Sequence, residues 1–316
     1  MTRPLTSDES TPIGDRPPTV IYVMGAGRSG STILGVALGN CANVFYAGEL
    51  EAWLRRSGVP NFGGEARVKF WEGVSQSVNG QDLFGDKAWR RLEYSLAWFR
   101  VDSWPGRRRL QVRYRQIAKK LYRTISSSAK ARHIVDTSHY PLRARELRRL
   151  NKDIDLYIIY LIRDPSNVVA SFKRQDITNP SKSLLAANAY LYLTHFLSAF
   201  VFLRHQKDKR LLLRYEDLIA DPEFTLRNIL SWVDVSASLP DLACLRTGIP
   251  FQGNRLLQSE VIALRGGVVA ASTRSYITKL FQLPWTVALS RLGPKATIHT
   301  GEKRHCTDPT SVCSES

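Results

Sequence analysis

Residues 19–40, TVIYVMGAGRSGSTILGVALGN, constrain this chain more than any other stretch. Residues 20–24 are apolar and mostly β-branched, a pattern that predicts a buried strand. Gly25, Gly27 and Gly30 punctuate the turn that follows, and residues 33–38 return to an apolar run of helical character. Strand, glycine-rich turn and helix, in that order, converge backbone N–H groups and the positive end of a helix dipole on one anion. The glycines let the backbone curl tightly enough for those donors to meet. The first expectation is a loop that cradles a phosphate-like group.

The loop is not that of a nucleotide triphosphatase. Gly25 and Gly30 keep the G-x-x-x-x-G spacing, but Ser31, followed by Thr32, stands where that motif needs Lys, and the cation is Arg28, three residues earlier. A dinucleotide fingerprint is matched literally by Gly25, Gly27 and Gly30, yet Arg28 and Ser29 crowd the pyrophosphate approach, and a lone match of this kind is weak. R-S-G-S-T directly after a first strand resembles the 5′-phosphosulfate loop of sulfotransferases that use 3′-phosphoadenosine-5′-phosphosulfate (PAPS). The resemblance implies that Gly27, Arg28, Ser29, Gly30, Ser31 and Thr32 hold the donor, with Arg28 at the reacting group.

Further motifs continue the resemblance. Gly48-Glu49 matches the Gly-Glu pair of a subset of sulfotransferases, which makes Glu49 the base that takes the acceptor proton. The other reading of Glu49 is a helix-start acid that complements the dipole. Residues 132–136 (RHIVD) read as a second buried strand and run into Thr137-Ser138-His139. Ser138 matches a cofactor contact of the family. His139 stands where Lys is usual, and a protonated ring there would offset charge on the leaving phosphate. A helix-start role for His139 is the alternative. Residues 154–162 (IDLYIIYLI) predict a central parallel strand that delivers Arg163, with Asp164 capping a helix that begins at Pro165. Arg163, followed eight residues later by Ser171, resembles the 3′-phosphate site of the PAPS enzymes. Residues 210–215 (RLLLRY) predict another strand, with the acids after it in capping and pairing roles, and Phe251-Gln-Gly-Asn-Arg255 resembles a late loop in which Arg255 reaches the 3′-phosphate.

Composition narrows the partners. A formal charge of +17 over 316 residues calls for an anionic partner: a nucleotide, an acidic substrate, an anionic membrane or nucleic acid. Ten of the basic residues fall between Ser103 and Val135, where there is no acid, and Leu110, Tyr114, Ile117 and Leu121 recur there at helical spacing. This basic amphipathic helix either touches an anionic membrane or an acidic acceptor, or packs its apolar stripe on the domain. Residues 184–203 are lipid-like but include Asn188 and His195, which favours a core helix over a membrane span. Four irregularly spaced cysteines give no disulfide framework and suggest a reducing compartment, hence a cytoplasmic protein. His299-Thr-Gly-Glu-Lys resembles a zinc-finger linker, but Cys306 and Cys313 follow the histidines, so the match is read as chance.

Together these features predict a disordered leader over 1–18, one α/β domain over 19–295 with a helical insertion at about 55–130, and a disordered tail over 296–316. The resemblance implies a three-layer fold with a central parallel sheet, helices on both faces, and ligands at the strands' carboxyl ends. It also implies sulfuryl transfer from PAPS, without a metal, to a hydroxyl or amine of a small-molecule, carbohydrate, lipid or phenolic acceptor. A P-loop kinase or hydrolase is the alternative enzyme, though it lacks the loop Lys and a Mg²⁺-holding acid. A basic protein that binds a membrane or nucleic acid leaves the paired anion motifs unexplained, and nucleic acid is not the expected partner. A degenerate, non-catalytic family member is a further alternative, motivated by His139.

Overall fold

A computed structural model describes residues 16–84, 91–94, 107–150, 152–172, 183–267 and 276–292. The expectations for the leader before residue 16 and for the tail over 296–316 lie outside these residues.

Five strands form one sheet: β1 (Thr19–Gly25), β2 (Val44–Gly48), β3 (His133–His139), β4 (Asp155–Ile162) and β5 (Arg210–Arg214). They lie in the order β2-β3-β1-β4-β5, and every pairing is parallel. β1 is therefore central, flanked by β3 and β4, and the strand order reverses beside it. Parallel neighbours need long crossovers, and helices supply them. α1 (Ser31–Gly39) follows β1, while α2 (Glu51–Arg55), α3 (Glu65–Val78) and α4 (Arg107–Ala129) lie between β2 and β3. α5 (Pro141–Leu147) precedes β4. α6 (Pro165–Phe172) and α7 (Leu184–Leu203) join β4 to β5, and α8 (Tyr215–Ala220) and α9 (Pro222–Trp232) follow β5. A two-stranded ribbon, β6 (Leu245–Arg246) with β7 (Val261–Ile262), and α10 (Tyr276–Leu292) complete the described elements.

The strands are buried on both faces, and alternate residues feed two cores. Val20, Tyr22 and Met24 of β1, with Leu156, Ile158 and Tyr160 of β4, pack with Trp53, Trp71, Tyr114, Ile117 and Leu147. Ile21, Val23, Ile159 and Leu161 face the other way, onto Leu34 and Leu38 of α1 and Leu226 and Ile229 of α9. A period of two along each strand sorts these side chains into layers, giving the predicted three-layer α/β fold.

Two ambiguous helices resolve toward packing. In α4, Tyr114, Ile117 and Leu121 are buried in the first core, so the apolar stripe that might have met a membrane instead covers the sheet. α7 is the one described helix long and apolar enough to cross a membrane, and half of its most apolar window is buried. It packs against β1, β4, α5, α6 and α10, as a core helix does. The strand predicted at 132–136 continues to His139, so Thr137 and Ser138 are strand residues. β2 was not foreseen.

Candidate active site

The carboxyl ends of the five strands carry, in sheet order, Glu49 after β2, His139 at the end of β3, the glycine loop after β1, Arg163 after β4 and Tyr215 after β5. Neighbouring strands lie about 4.8 Å apart, so this order is also a spatial one. The loop sits in the middle, at the switch point where open α/β sheets bind ligands.

Close approach shapes the loop. At Gly25 a Cβ would overlap the Leu161 carbonyl of β4, and at Gly30, with φ +97°, it would overlap the Tyr215 ring. Gly30 is the N-cap of α1 and makes no side-chain cap, so the first-turn N–H groups of α1 face the turn without an internal partner. Arg28 holds φ +70°, an uncommon conformation for a non-glycine residue that marks a locally constrained loop. Its Nε donates to Ser171 Oγ of α6 at 3.1 Å, and its carbonyl accepts from Arg163 Nη1 at 3.1 Å. The two halves predicted from separate motifs are thus joined directly. The Arg163 guanidinium also lies over the Tyr215 ring, 4.4 Å from its centroid.

Around this junction is a cavity of about 530 Å³, lined by Arg28, Gly30, Arg163, Ser171, Tyr215 and Arg265 together with Asn254 and apolar side chains. No carboxylate lines it. Three guanidinium groups, a hydroxyl and an aromatic face suit a ligand with phosphate groups and a planar base.

Several predicted residues have different places. Arg255 is exposed and outside the cavity lining, where its neighbours Asn254 and Leu256 and the unforeseen Arg265 stand instead. Ser29 and Thr32 are buried, with Thr32 against Tyr46, while Ser31 stays partly exposed. The Gly27 N–H is held by the Tyr190 hydroxyl of α7 at 3.1 Å, and Tyr190 stands edge-on to Phe172. Ser138 is fully buried: its Oγ donates to Asp136 Oδ1 and accepts from the Glu51 N–H at 3.0 Å. Its hydroxyl is thus engaged by protein groups, linking the end of β3 to the start of α2.

Glu49 is half-buried and tied to a neighbouring loop. Its N–H donates to the Gln252 carbonyl at 2.8 Å, and its Oε2 accepts from Gln252 Nε2 at 3.3 Å. It lies just before α2 rather than inside the helix. His139 ends β3 at φ +53° and stacks on Tyr140, with ring centroids 4.4 Å apart. Burial lowers its pKa, opposed in part by the Glu49 charge, which favours the neutral ring. Burial raises Tyr190, with a smaller push from Glu49, which places the carboxylate within electrostatic reach of the loop's tyrosine. Two residues on, Glu51 is buried with Oε2 unpartnered, and burial followed by the Glu49 charge holds its carboxyl well above the usual range.

A buried network holds the end of β3. Arg143 of α5 donates to Asp136 Oδ2 at 3.2 Å and to Glu93 Oε1 at 2.6 Å. Tyr122 donates to Asp136 and Tyr114 to Glu93, each at 2.5 Å. Among the described residues no group of three or more His, Cys, Asp or Glu side chains is placed to hold a metal.

A family model described as "Sulfotransferase family" matches residues 18–238. Among solved structures, the sulfotransferase domain from the curacin biosynthetic pathway is similar at 18% identity and a TM-score of 0.51, covering 86% of this chain and 98% of that one. The sulfotransferase domain of the Synechococcus PCC 7002 olefin synthase is 20% identical, with a TM-score of 0.49 and coverage of 86% and 95%. At 18% identity the likeness to the curacin-pathway domain speaks to the fold, which is shared. No curated protein sequence matches the chain significantly. The family match spans the loop, Glu49, His139, Arg163 and Ser171, and the chain belongs to the sulfotransferase family.

Proposed function

We propose that the protein transfers a sulfuryl group from PAPS to a hydroxyl or amine of a small acceptor. The observation that carries this reading is the direct joining of the two anion motifs, Arg28 to Ser171 and Arg163 to the Arg28 carbonyl, over one acid-free cavity. Arg163, Ser171 and Arg265 hold the 3′-phosphate end, and Tyr215 offers its ring to the base. Arg28, Ser31 and the N–H groups at Gly30 and the start of α1 hold the phosphosulfate, which points the reacting group toward the β3–β2 side of the loop.

Glu49 stands on that side. It takes the acceptor proton as the acceptor oxygen bonds to sulfur, while the bond from sulfur to the bridging phosphate oxygen breaks in line and the electron pair leaves with the phosphate. The loop N–H groups and Arg28 stabilise the charge that grows on the departing oxygen. A neutral His139 can donate one ring N–H to the same region. The acceptor class is taken to be a small molecule, carbohydrate, lipid or phenol. The free thiols of buried Cys41 and exposed Cys244 support a reducing compartment such as the cytoplasm.

Calorimetry tests the donor half. Adenosine 3′,5′-bisphosphate should bind, ATP with Mg²⁺ should bind far more weakly, and Arg163→Ala should weaken the bisphosphate by about 100-fold. Equal or better binding of ATP with Mg²⁺ would overturn the reading. Glu49→Gln should keep bisphosphate affinity within about twofold and lower turnover by about 100-fold or more. Full turnover in that variant would remove Glu49 as the base.

A further inference from the structure

α10 carries apolar side chains on both its buried and its outer face. Its buried face carries Leu289 and the partly buried Trp285, which pack into the first core, and Thr278 and Gln282, which both hydrogen-bond Asn188 of α7: Asn188 Nδ2 donates to Thr278 Oγ1 at 3.3 Å and Gln282 Nε2 to the Asn188 carbonyl at 3.0 Å. Its outer face carries Ile277, Leu280, Phe281, Leu283 and Val287, with Leu280 73% exposed, and Tyr276 at its start is 85% exposed. In water an amphipathic helix turns its apolar stripe to the core. Here core packing by Leu289 and Trp285 and the hydrogen-bonded polar pair already hold the helix to the protein, and a second apolar stripe points outward, as suits a helix whose outer surroundings are hydrocarbon.

The stripe does not stop at α10. Leu185, Tyr192, Phe196 and Leu203 recur at intervals of seven, four and seven along α7, so they share one helix face, and all four are exposed. Trp285 joins the two stripes, with ring centroids 5.5 Å from Tyr192 and 6.4 Å from Phe196. Contiguous exposed apolar surface of this extent marks an interaction site.

Charge selects the occupant. Neither α7 nor α10 contains an acid, and the charged residues of these helices and their caps are Lys279, Arg291 and Arg204, the C-cap of α7. The acids near the patch, Asp164 and Glu216, share a small cavity with Trp285, Thr286, Arg163 and Arg214. Asp164 Oδ1 accepts the Asn167 N–H and Glu216 Oε1 accepts the Asp164 N–H, while Glu216 Oε2 is buried away from the surface. A second copy of this chain would bring another +17 charge to a symmetric contact. A surface that is both apolar and negative does not carry that penalty.

We propose that the α7–α10 face docks on an anionic lipid bilayer, with the apolar residues of α10 and the α7 stripe entering the headgroup boundary and Lys279, Arg291 and Arg204 meeting lipid phosphates. The helices lie along the membrane and do not cross it, because α7 also packs on β1 and β4 of the sheet. The basic helix α4 is not this surface, since its apolar stripe is buried.

Cosedimentation of the full chain with vesicles tests the docking. Phosphatidylcholine vesicles containing about one-third phosphatidylglycerol should bind the protein, pure phosphatidylcholine should bind it at least about tenfold more weakly, and added salt should lower the anionic binding. The double variant Leu280→Glu, Phe281→Glu should lose at least about tenfold in binding while keeping the wild-type melting temperature, because both side chains are exposed. Arg108→Glu with Arg109→Glu on α4 should bind within about threefold of wild type. Failure to bind anionic vesicles, unchanged binding by the Leu280/Phe281 variant, or loss only in the α4 variant would overturn the proposal. So would a stable dimer in solution that the Leu280/Phe281 variant dissociates, which would assign the face to a second copy.

Discussion

Two arginines, twenty residues apart in the chain, solve opposite problems. Arg143 is fully buried and meets two carboxylates, Asp136 and Glu93, with Tyr114 and Tyr122 completing the set. Arg163 makes no ion pair among the described residues: Nη1 donates to a carbonyl, the guanidinium lies over Tyr215, and Nε is buried without a partner. One positive charge is neutralised inside the protein and anchors the end of β3. The other borders an acid-free cavity, where its charge is left for a ligand. The same side chain serves structure where carboxylates pair with it and binding where none of the described carboxylates does.

The sharpest way to break this comparison is to remove each charge in turn. Arg143→Met leaves Asp136 and Glu93 buried without their cation and should destabilise the fold by about 3–5 kcal/mol in denaturant titration. Arg163→Ala loses one hydrogen bond and a cation–π contact and should cost no more than about 2 kcal/mol of stability. If Arg163→Ala proves the more destabilising of the two, Arg163 is a structural residue and the cavity loses its main claim to an anion.

The binding half was more legible in the sequence than the supporting half, for a physical reason. β1 with its loop, and β4 with Arg163 and Ser171, are contiguous segments in which each strand hands its functional residues to the next turn, so local pattern reveals them. The fold class followed from the same segments. Arg143, Glu93, Tyr114 and Tyr122 come from three separate segments, and no local signal tells a helical arginine that it will be buried between two acids. Gln252, Tyr190 and Arg265 were hidden likewise, since each joins the site only through tertiary contact. β2 is hard to read from sequence because VFYAG is only five residues long and ends at Gly48, directly before Glu49. In α4 the helical period of the apolar residues does not name their partner, which is the first core, where Tyr114 and Ile117 are buried.

Tyr190 sharpens the comparison on the ligand side, where a neutral hydroxyl rather than a charge fixes the loop. Its oxygen ties the Gly27 N–H to α7. Tyr190→Phe should lower stability by about 1 kcal/mol and weaken adenosine 3′,5′-bisphosphate by about tenfold, because the cradle is then held less firmly. Tighter binding in this variant would show that the tyrosine hydroxyl competes with the anion for Gly27, and would move Tyr190 from support to gate.

The smallest effect concerns the acid side of the site, where a carboxyl goes without a full partner. Glu51 has Arg55 3.3 Å from Oε1, but its Oε2 is buried and unpartnered, and its pKa is held well above the usual range by burial first and the Glu49 charge second. A carboxyl raised on folding binds its proton more tightly in the native state than in the unfolded one. Its contribution to stability is therefore complete below the ordinary carboxylate range and declines as pH rises through the raised native pKa. Glu51→Gln removes that decline, so the melting temperature of the variant should gain on wild type as pH rises from mildly acidic to alkaline. Parallel melting curves across that range would mean that Arg55 keeps Glu51 ionised, and that a second negative charge stands beside Glu49. A gain with pH would leave Glu49 as the lone carboxylate charge at the carboxyl end of β2, the acid counterpart of the unpaired Arg163 across the sheet.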